Sequence, residues 1–188
     1  MLMIEFYTVE TFEHFLTQPE NRDRLFELIY GEIVEKMPTE EHGIIVLNIG
    51  SAIRHFLKTH PIGRVSVETC YRLPDDPKNA SQPDLSFISA THQLAIVRQG
   101  AVLQMPDLAV EVRSPDDTLV ELRAKAAYYL KHGTSLVWLI DPTTQSAEVQ
   151  SRLDTGAITS LTIDRDGHLD GQTVLPGFRL SMSEVFEA

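Results

Sequence analysis

The sequence predicts an α/β fold, a mixed β-sheet flanked by helices with a C-terminal β-meander. Three observations carry that expectation. Between Leu108 and Ile140 an apolar strand, an amphipathic helix and a second apolar strand follow one another. That order builds neighbouring strands with a helix laid across the sheet. Across residues 39–60 the apolar side chains recur at helical spacing. Beyond Pro142 the chain breaks into short runs separated by Asp154-Thr155-Gly156 and Asp166-Gly167, the punctuation of meandering strands.

Each element has its own reason. Residues 8–18 read as a short helix with Phe12, Phe15 and Leu16 on one face. Runs 25–30 and 32–37 surround Gly31 and read as a hairpin. In the helix expected over 39–60, Ile45, Ile49, Ala52, Ile53, Phe56 and Leu57 share a side, and Pro61 and Gly63 stop it. Strands are expected at 64–71 and 85–88, separated by the Pro74-Asp75-Asp76-Pro77 loop, whereas 94–103 is ambiguous. Ser114-Pro115-Asp116-Asp117 reads as a helix start, with proline and acids in the first turn, and Gly133 ends that helix after His132. Strand 136–140 is closed by Asp141-Pro142. Runs 147–152, 157–163 and 173–180 form the meander, and a tail helix over 181–186 finishes the chain.

Composition bounds the function. The 188 residues suit a single domain with a core of its own. A hydrophobic content of 43% and a charged content of 23% are those of a globular protein, and no run approaches membrane-spanning length. Met1-Leu2-Met3-Ile4-Glu5-Phe6-Tyr7 has no basic residues ahead of an apolar run, so it is not expected to be a signal peptide. One cysteine, Cys70, rules out an internal disulfide and agrees with a cytoplasmic location, with the thiol packed in a core or sheet. A net charge of −11 argues against non-specific nucleic-acid binding, which needs clustered Lys and Arg. Charge near a site matters more than the total, because salt screens beyond about 8–10 Å. The segment from Glu111 to His132 is neutral, its acids Glu111, Asp116, Asp117 and Glu121 balanced by Arg113, Arg123, Lys125 and Lys131. No zinc-ligand spacing, Gly-rich phosphate loop or G-x-S-x-G elbow occurs.

Chemistry enters with isolated acids on apolar strands. In Pro106-Asp107-Leu108-Ala109-Val110-Glu111-Val112-Arg113-Ser114-Pro115, alternation puts Glu111 and Arg113 opposite Leu108, Val110 and Val112. Gln82-Pro83-Asp84-Leu85-Ser86-Phe87-Ile88 carries a second lone acid directly after a proline. Two such carboxylates are costly to bury unless a cation sits between them, and a divalent metal is the simplest one. Glu27 lies between Leu25 and Ile29 on one strand face, an odd place for a merely solvated acid. On the helix over 117–132, Leu119, Leu122, Ala126, Tyr129 and Leu130 form the apolar face and Lys125 lies at its edge. From there a lysine can bury its stem and reach the sheet. The plainer alternative is an i,i+4 surface pair with Glu121, worth about 0.2–0.5 kcal/mol. His42, at a helix start, reads as a capping or packing residue.

The joint pattern of Pro83-Asp84, a strand glutamate at 111 and a lysine on the following helix resembles the PD-(D/E)xK nuclease superfamily in its migrated-lysine form. It is closer still to the Uma-two family of restriction-endonuclease-like proteins. The resemblance takes in the hairpin from Phe26 to Val34, Glu41-His42, Gln82-Pro83-Asp84, the Glu111 strand, Lys125, Tyr129 and Gly133. Trp138-Leu139-Ile140-Asp141-Pro142 and Leu175-Pro176-Gly177-Phe178 extend it over nearly the whole chain.

The resemblance implies a restriction-endonuclease-like fold and a metal-dependent DNA endonuclease. Glu27, Asp84, Glu111 and Lys125 would be its catalytic residues, Asp84 and Glu111 the ligands of Mg²⁺, with Mn²⁺ able to substitute. It also implies a homodimer. Arg113 stands where the unmigrated motif has its lysine and, always protonated, cannot act as a base. It would contact a phosphate of the substrate, or pair with Glu111 in place of a metal. Two rival readings are a catalytically weak or inactive dimeric interaction module of the same fold, and a hydrolase of a smaller phosphate ester.

Overall fold

A computed structural model describes residues 6–92, 95–153 and 155–188. Residues 1–5 of the segment tested for signal character, Leu94 at the head of the ambiguous stretch and Asp154 of the first meander turn lie outside the described residues. The backbone divides into two compact units. One comprises Met1–Met37, Cys70–Gln82 and Val97–Met105, the other Pro38–Thr69, Pro83–Ile96 and Pro106–Ala188.

The larger unit is built on a six-stranded sheet. Its strands are β3 (Gly63–Val67), β4 (Leu85–Ser89), β5 (Leu108–Val112), β6 (Leu136–Asp141), β7 (Ser146–Arg152) and β8 (Ile158–Ile163), side by side in that order. Only β5 and β6 run parallel; every other pair is antiparallel. The reason is the connection. A helix, α3 (Leu119–Lys131), joins β5 to β6, whereas β6, β7 and β8 are antiparallel neighbours; of the expected meander, runs 147–152 and 157–163 form β7 and β8.

Period-two alternation then assigns the faces. Leu85, Phe87, Leu108, Val110, Val112, Leu136, Trp138, Ile140, Ala147 and Val149 form one core with Ile45, Ile49 and Ile53 of α2 (Glu40–Thr59). The C-terminal hairpin of β9 (His168–Asp170) and β10 (Arg179–Ser181) adds Leu169 and Leu180 to that core. Helix α4 (Met182–Val185) adds Met182 and Val185. The opposite face carries Ala109, Glu111, Val137 and Leu139, and α3 packs on β5, β6 and β7 through Leu122, Ala126, Tyr129 and Leu130. The mixed sheet flanked by helices is therefore the observed fold.

Three stretches depart from the sequence reading by more than a residue at an end. The strand expected to reach residue 71 ends at Val67, because Glu68 adopts φ 46° and breaks the ladder. Helix α3 begins after Thr118 rather than at Ser114. Thr118 Oγ1 accepts the Glu121 amide and the Glu121 carboxylate accepts the Thr118 amide at 2.9 Å, a capping box. Ser114 to Asp117 instead forms a turn closed by the Asp117 amide on the Ser114 carbonyl at 3.0 Å. The strand expected over 173–180 is mostly consecutive turns. The Leu175 amide bonds Gly171 O and the Phe178 amide bonds Leu175 O, and Pro176 has no amide to offer a ladder, so only Arg179–Ser181 pairs.

The smaller unit holds α1 (Val9–Thr17) and a hairpin of β1 (Leu25–Ile29) and β2 (Glu32–Lys36). Tyr30 and Gly31 turn the hairpin with φ 50° and 87°, both left-handed, which matches the strand twist and explains the glycine. Val9, Phe12, Phe26, Leu28 and Ala80 form its core, with Cys70 packed against them. Burial, with the charges of Glu27 and Glu13 adding, pushes the Cys70 thiol up to about 11. The expected result is that native protein reacts far more slowly with a thiol reagent at pH 8 than urea-unfolded protein. Equal rates would contradict that packing. Among the described residues no helix is long and apolar enough to cross a membrane.

Candidate active site

Asp84 sits one residue before β4, where Pro83 removes an amide and holds the chain extended. The residue is 98% buried and its Oδ2 accepts the Val112 amide of β5 at 2.7 Å. The β4–β5 ladder ends at the Leu85–Val110 pair, and beyond it the Asp84 carboxylate rather than a backbone carbonyl takes the Val112 amide. The two lone acids of the sequence thus flank the same end of that ladder, Asp84 one residue before Leu85 and Glu111 one residue after Val110.

Glu111 itself is 98% buried, and both of its oxygens are engaged by α3. Lys125 Nζ donates to Oε2 at 2.8 Å and Tyr129 OH donates to Oε1 at 2.7 Å. Lys125 and Tyr129 are four residues apart, so they project from the same helix face. Only 13% of the Lys125 side chain is exposed. The plainer reading of Lys125 as the surface partner of Glu121 is replaced, because Glu121 spends its carboxylate on the Thr118 cap. Lys125 instead lays its stem along the helix and delivers its ammonium to the sheet.

His42 is the residue whose placement the sequence understated. Thr39 caps α2 and His42 occupies the third helical position, its amide on Thr39 Oγ1. Its imidazole is also buried, with Nε2 3.1 Å from Asp84 Oδ2. A helix start placed against the start of β4 makes that contact possible, and Glu41-His42 in the motif is the available signal. In the sequence Tyr129 belongs to an apolar face and to the family pattern, with no role assigned to its hydroxyl; its four-residue offset from Lys125 is the clue to its second duty.

Arg113 does not pair with Glu111. Its Nη1 bonds Asp141 Oδ2 at 3.1 Å and its Nε donates to the Asp117 carbonyl at 3.1 Å, tying the end of β5 to the end of β6 and to the turn before α3. The alternative in which Arg113 replaces a metal on Glu111 is thereby corrected, since Asp141 lies on the adjacent parallel strand and claims the guanidinium. With 28% of its side chain exposed, Arg113 keeps access to solvent.

Glu27 belongs to the smaller unit and is 98% buried there, with Oε1 accepting the Gln82 amide at 2.6 Å.

Arg123, on the first half of α3, bonds Glu148 of β7 at 2.8 Å. Burial alone would raise the Glu148 carboxyl, but hydrogen bonds from Gln150, Arg123 and Ser160 outweigh it and hold the group below the usual carboxylate range. A depressed folded pKa contributes stability above the unfolded value of about 4.3 that is lost as pH falls through the folded one. Urea unfolding of wild type and Glu148→Gln should therefore differ at pH 6 and converge toward pH 3. A constant difference would mean that the carboxylate charge is not what holds α3 to β7.

With this geometry in place, comparison with known proteins is informative. Residues 12–183 match the Uma2 family model, described as "Putative restriction endonuclease". The chain belongs to the Uma2 family. A solved structure described as "a putative nuclease belonging to DUF820", from Anabaena variabilis ATCC 29413, superposes with a TM-score of 0.76. It is 24% identical, over 93% of this chain and 96% of that one. At that identity the likeness shows the fold. No curated protein matches the chain.

Restriction-endonuclease-like families generally use divalent metals, and the donor set of this Uma2 chain can be tested against one. Among the described residues no three His, Cys, Asp or Glu side chains form a ready-made cage. Mg²⁺ does not require one: it keeps several waters and is usually held by one or two carboxylates together with substrate phosphate oxygens. Two buried carboxylates on neighbouring strands, each already oriented by hydrogen bonds, fit that donor set.

Proposed function

We propose that this Uma2 chain is a metal-dependent endonuclease that hydrolyses phosphodiester bonds in DNA. One observation carries the reading: a lysine on α3 delivers its ammonium to Glu111, a buried carboxylate on the strand beside Asp84. An interaction module has little reason to bury a lysine against an acid. Such a pair costs several kcal/mol in desolvation and is seldom worth more than the apolar residues that could replace it.

In this reading Asp84 and Glu111 hold Mg²⁺, or Mn²⁺ in its place. When bound, the ion would lower the pKa of a coordinated water and neutralise charge on the scissile phosphate. The chain's own residues do the rest. Val112 N–H and His42 keep Asp84 turned toward its ligand position. Lys125 orients the attacking water and stabilises the charge that develops on the phosphoryl oxygens. Arg113 reaches a neighbouring phosphate from the end of β5, and Glu27 serves as a further acidic residue of the catalytic set. The protein works in the cytoplasm as a homodimer, two copies supplying the two sites that double-strand cleavage needs.

Metal linkage tests this reading without a substrate. Millimolar Mg²⁺ or Mn²⁺ should raise the melting temperature, by about 2.7 kcal/mol of added stability at a hundred times Kd. Asp84→Asn should lose that response. A wild-type melting temperature indifferent to both ions would favour the inactive interaction module.

A further inference from the structure

Tyr129 is wholly buried, so its ring fills space that a phenylalanine would fill equally well. The hydroxyl is what needs a reason, because a buried hydroxyl is costly unless bonded. Its bond goes to Glu111 Oε1 at 2.7 Å, while Lys125, one turn earlier, takes Oε2 at 2.8 Å. The two donors are unlike. Lys125 sits on four rotatable carbons at the helix edge with part of its side chain exposed, and its ammonium can turn to another acceptor. Tyr129 is clamped, its ring buried and edge-on to Tyr128 at 6.3 Å, which fixes its hydroxyl oxygen beside Glu111 Oε1.

The geometry points to a division of labour on one carboxylate. We propose that Tyr129 is a positioning residue that pins Glu111 Oε1, leaving Oε2 as the oxygen presented to a divalent cation. Lys125 Nζ holds the place on Oε2 that the cation would take. Metal uptake and release of the Lys125 ammonium would then be one exchange, which frees the lysine for the substrate. This rests on the reading of Asp84 and Glu111 as metal ligands.

The two side chains should consequently shift metal affinity in opposite directions, which a purely structural role for either would not do. Calorimetric titration of the full chain with Mn²⁺ reads this directly. Tyr129→Phe should weaken binding by roughly 10–100-fold, the usual cost of losing a hydrogen bond that orients a metal ligand. Lys125→Met removes the competing cation and should bind Mn²⁺ at least as tightly as wild type. Melting curves without metal check that both variants are folded. Should Tyr129→Phe bind like wild type, or Lys125→Met bind as weakly as Tyr129→Phe, the exchange is refuted while the metal site stands. Should wild type itself take up no Mn²⁺, the metal-ligand reading fails and the proposal with it.

Discussion

Lys125→Ala should lower DNA cleavage by roughly 10²–10³ at saturating Mn²⁺, the scale for losing one preorganised electrostatic contact at a developing charge. The expectation follows from where α3 places the ammonium. The Thr118–Glu121 capping box sets the helix start, the Leu122, Ala126 and Leu130 face seats it on the sheet, and Lys125 then meets Glu111 with most of its side chain buried. Metal uptake, measured separately, should survive the substitution. A variant that keeps wild-type turnover would show that the lysine serves the fold alone. A variant that loses turnover only because it no longer binds metal would move Lys125 out of the chemical step.

Glu111→Ala should have the largest effect on stability. It leaves the Lys125 ammonium and the Tyr129 hydroxyl without their carboxylate at the centre of the α3–sheet contact. Removing one partner of a buried pair typically costs about 3–5 kcal/mol. Because Lys125 retains some exposure, its tip can turn partly to water, which places the expected loss at the lower end of that range. Adding Lys125→Met should recover a good part of it, since the uncompensated charge goes with the lysine. Urea unfolding of the single and double variants gives the coupling directly. Strictly additive losses would contradict a paired Glu111 and Lys125.

How much of this was legible in the sequence depended on the range of the interactions. Local pattern located α1, α2, the β1–β2 hairpin and the apolar strands β4, β5 and β6, because the residues that mark each of them lie within one element. The acids stand out for the same reason: Glu111 interrupts an apolar strand and Asp84, after Pro83, opens onto one. Pairings between elements were less accessible. Nothing in Arg113 announces Asp141, which becomes its neighbour only because β5 and β6 run parallel in register. His42 shows the same limit, since its meeting with Asp84 depends on where the start of α2 falls against the start of β4. The α3 start was misplaced because Ser114-Pro115-Asp116-Asp117 has the composition of a helix entry. The stronger Thr118-x-x-Glu121 box lies four residues later. The strand expected over 173–180 yielded to Pro176-Gly177, whose turn preference outweighs the apolar residues around it.

The decisive measurement is cleavage of supercoiled plasmid in the presence of Mg²⁺ or Mn²⁺. Wild type should convert it to nicked and linear forms in a metal-dependent way, with no conversion under chelator or by Asp84→Asn and Glu111→Gln. Nicking that persists with chelator, or that the two variants retain, would contradict the assigned site. A wild type that leaves the plasmid intact at every metal and protein concentration would contradict the nuclease reading itself.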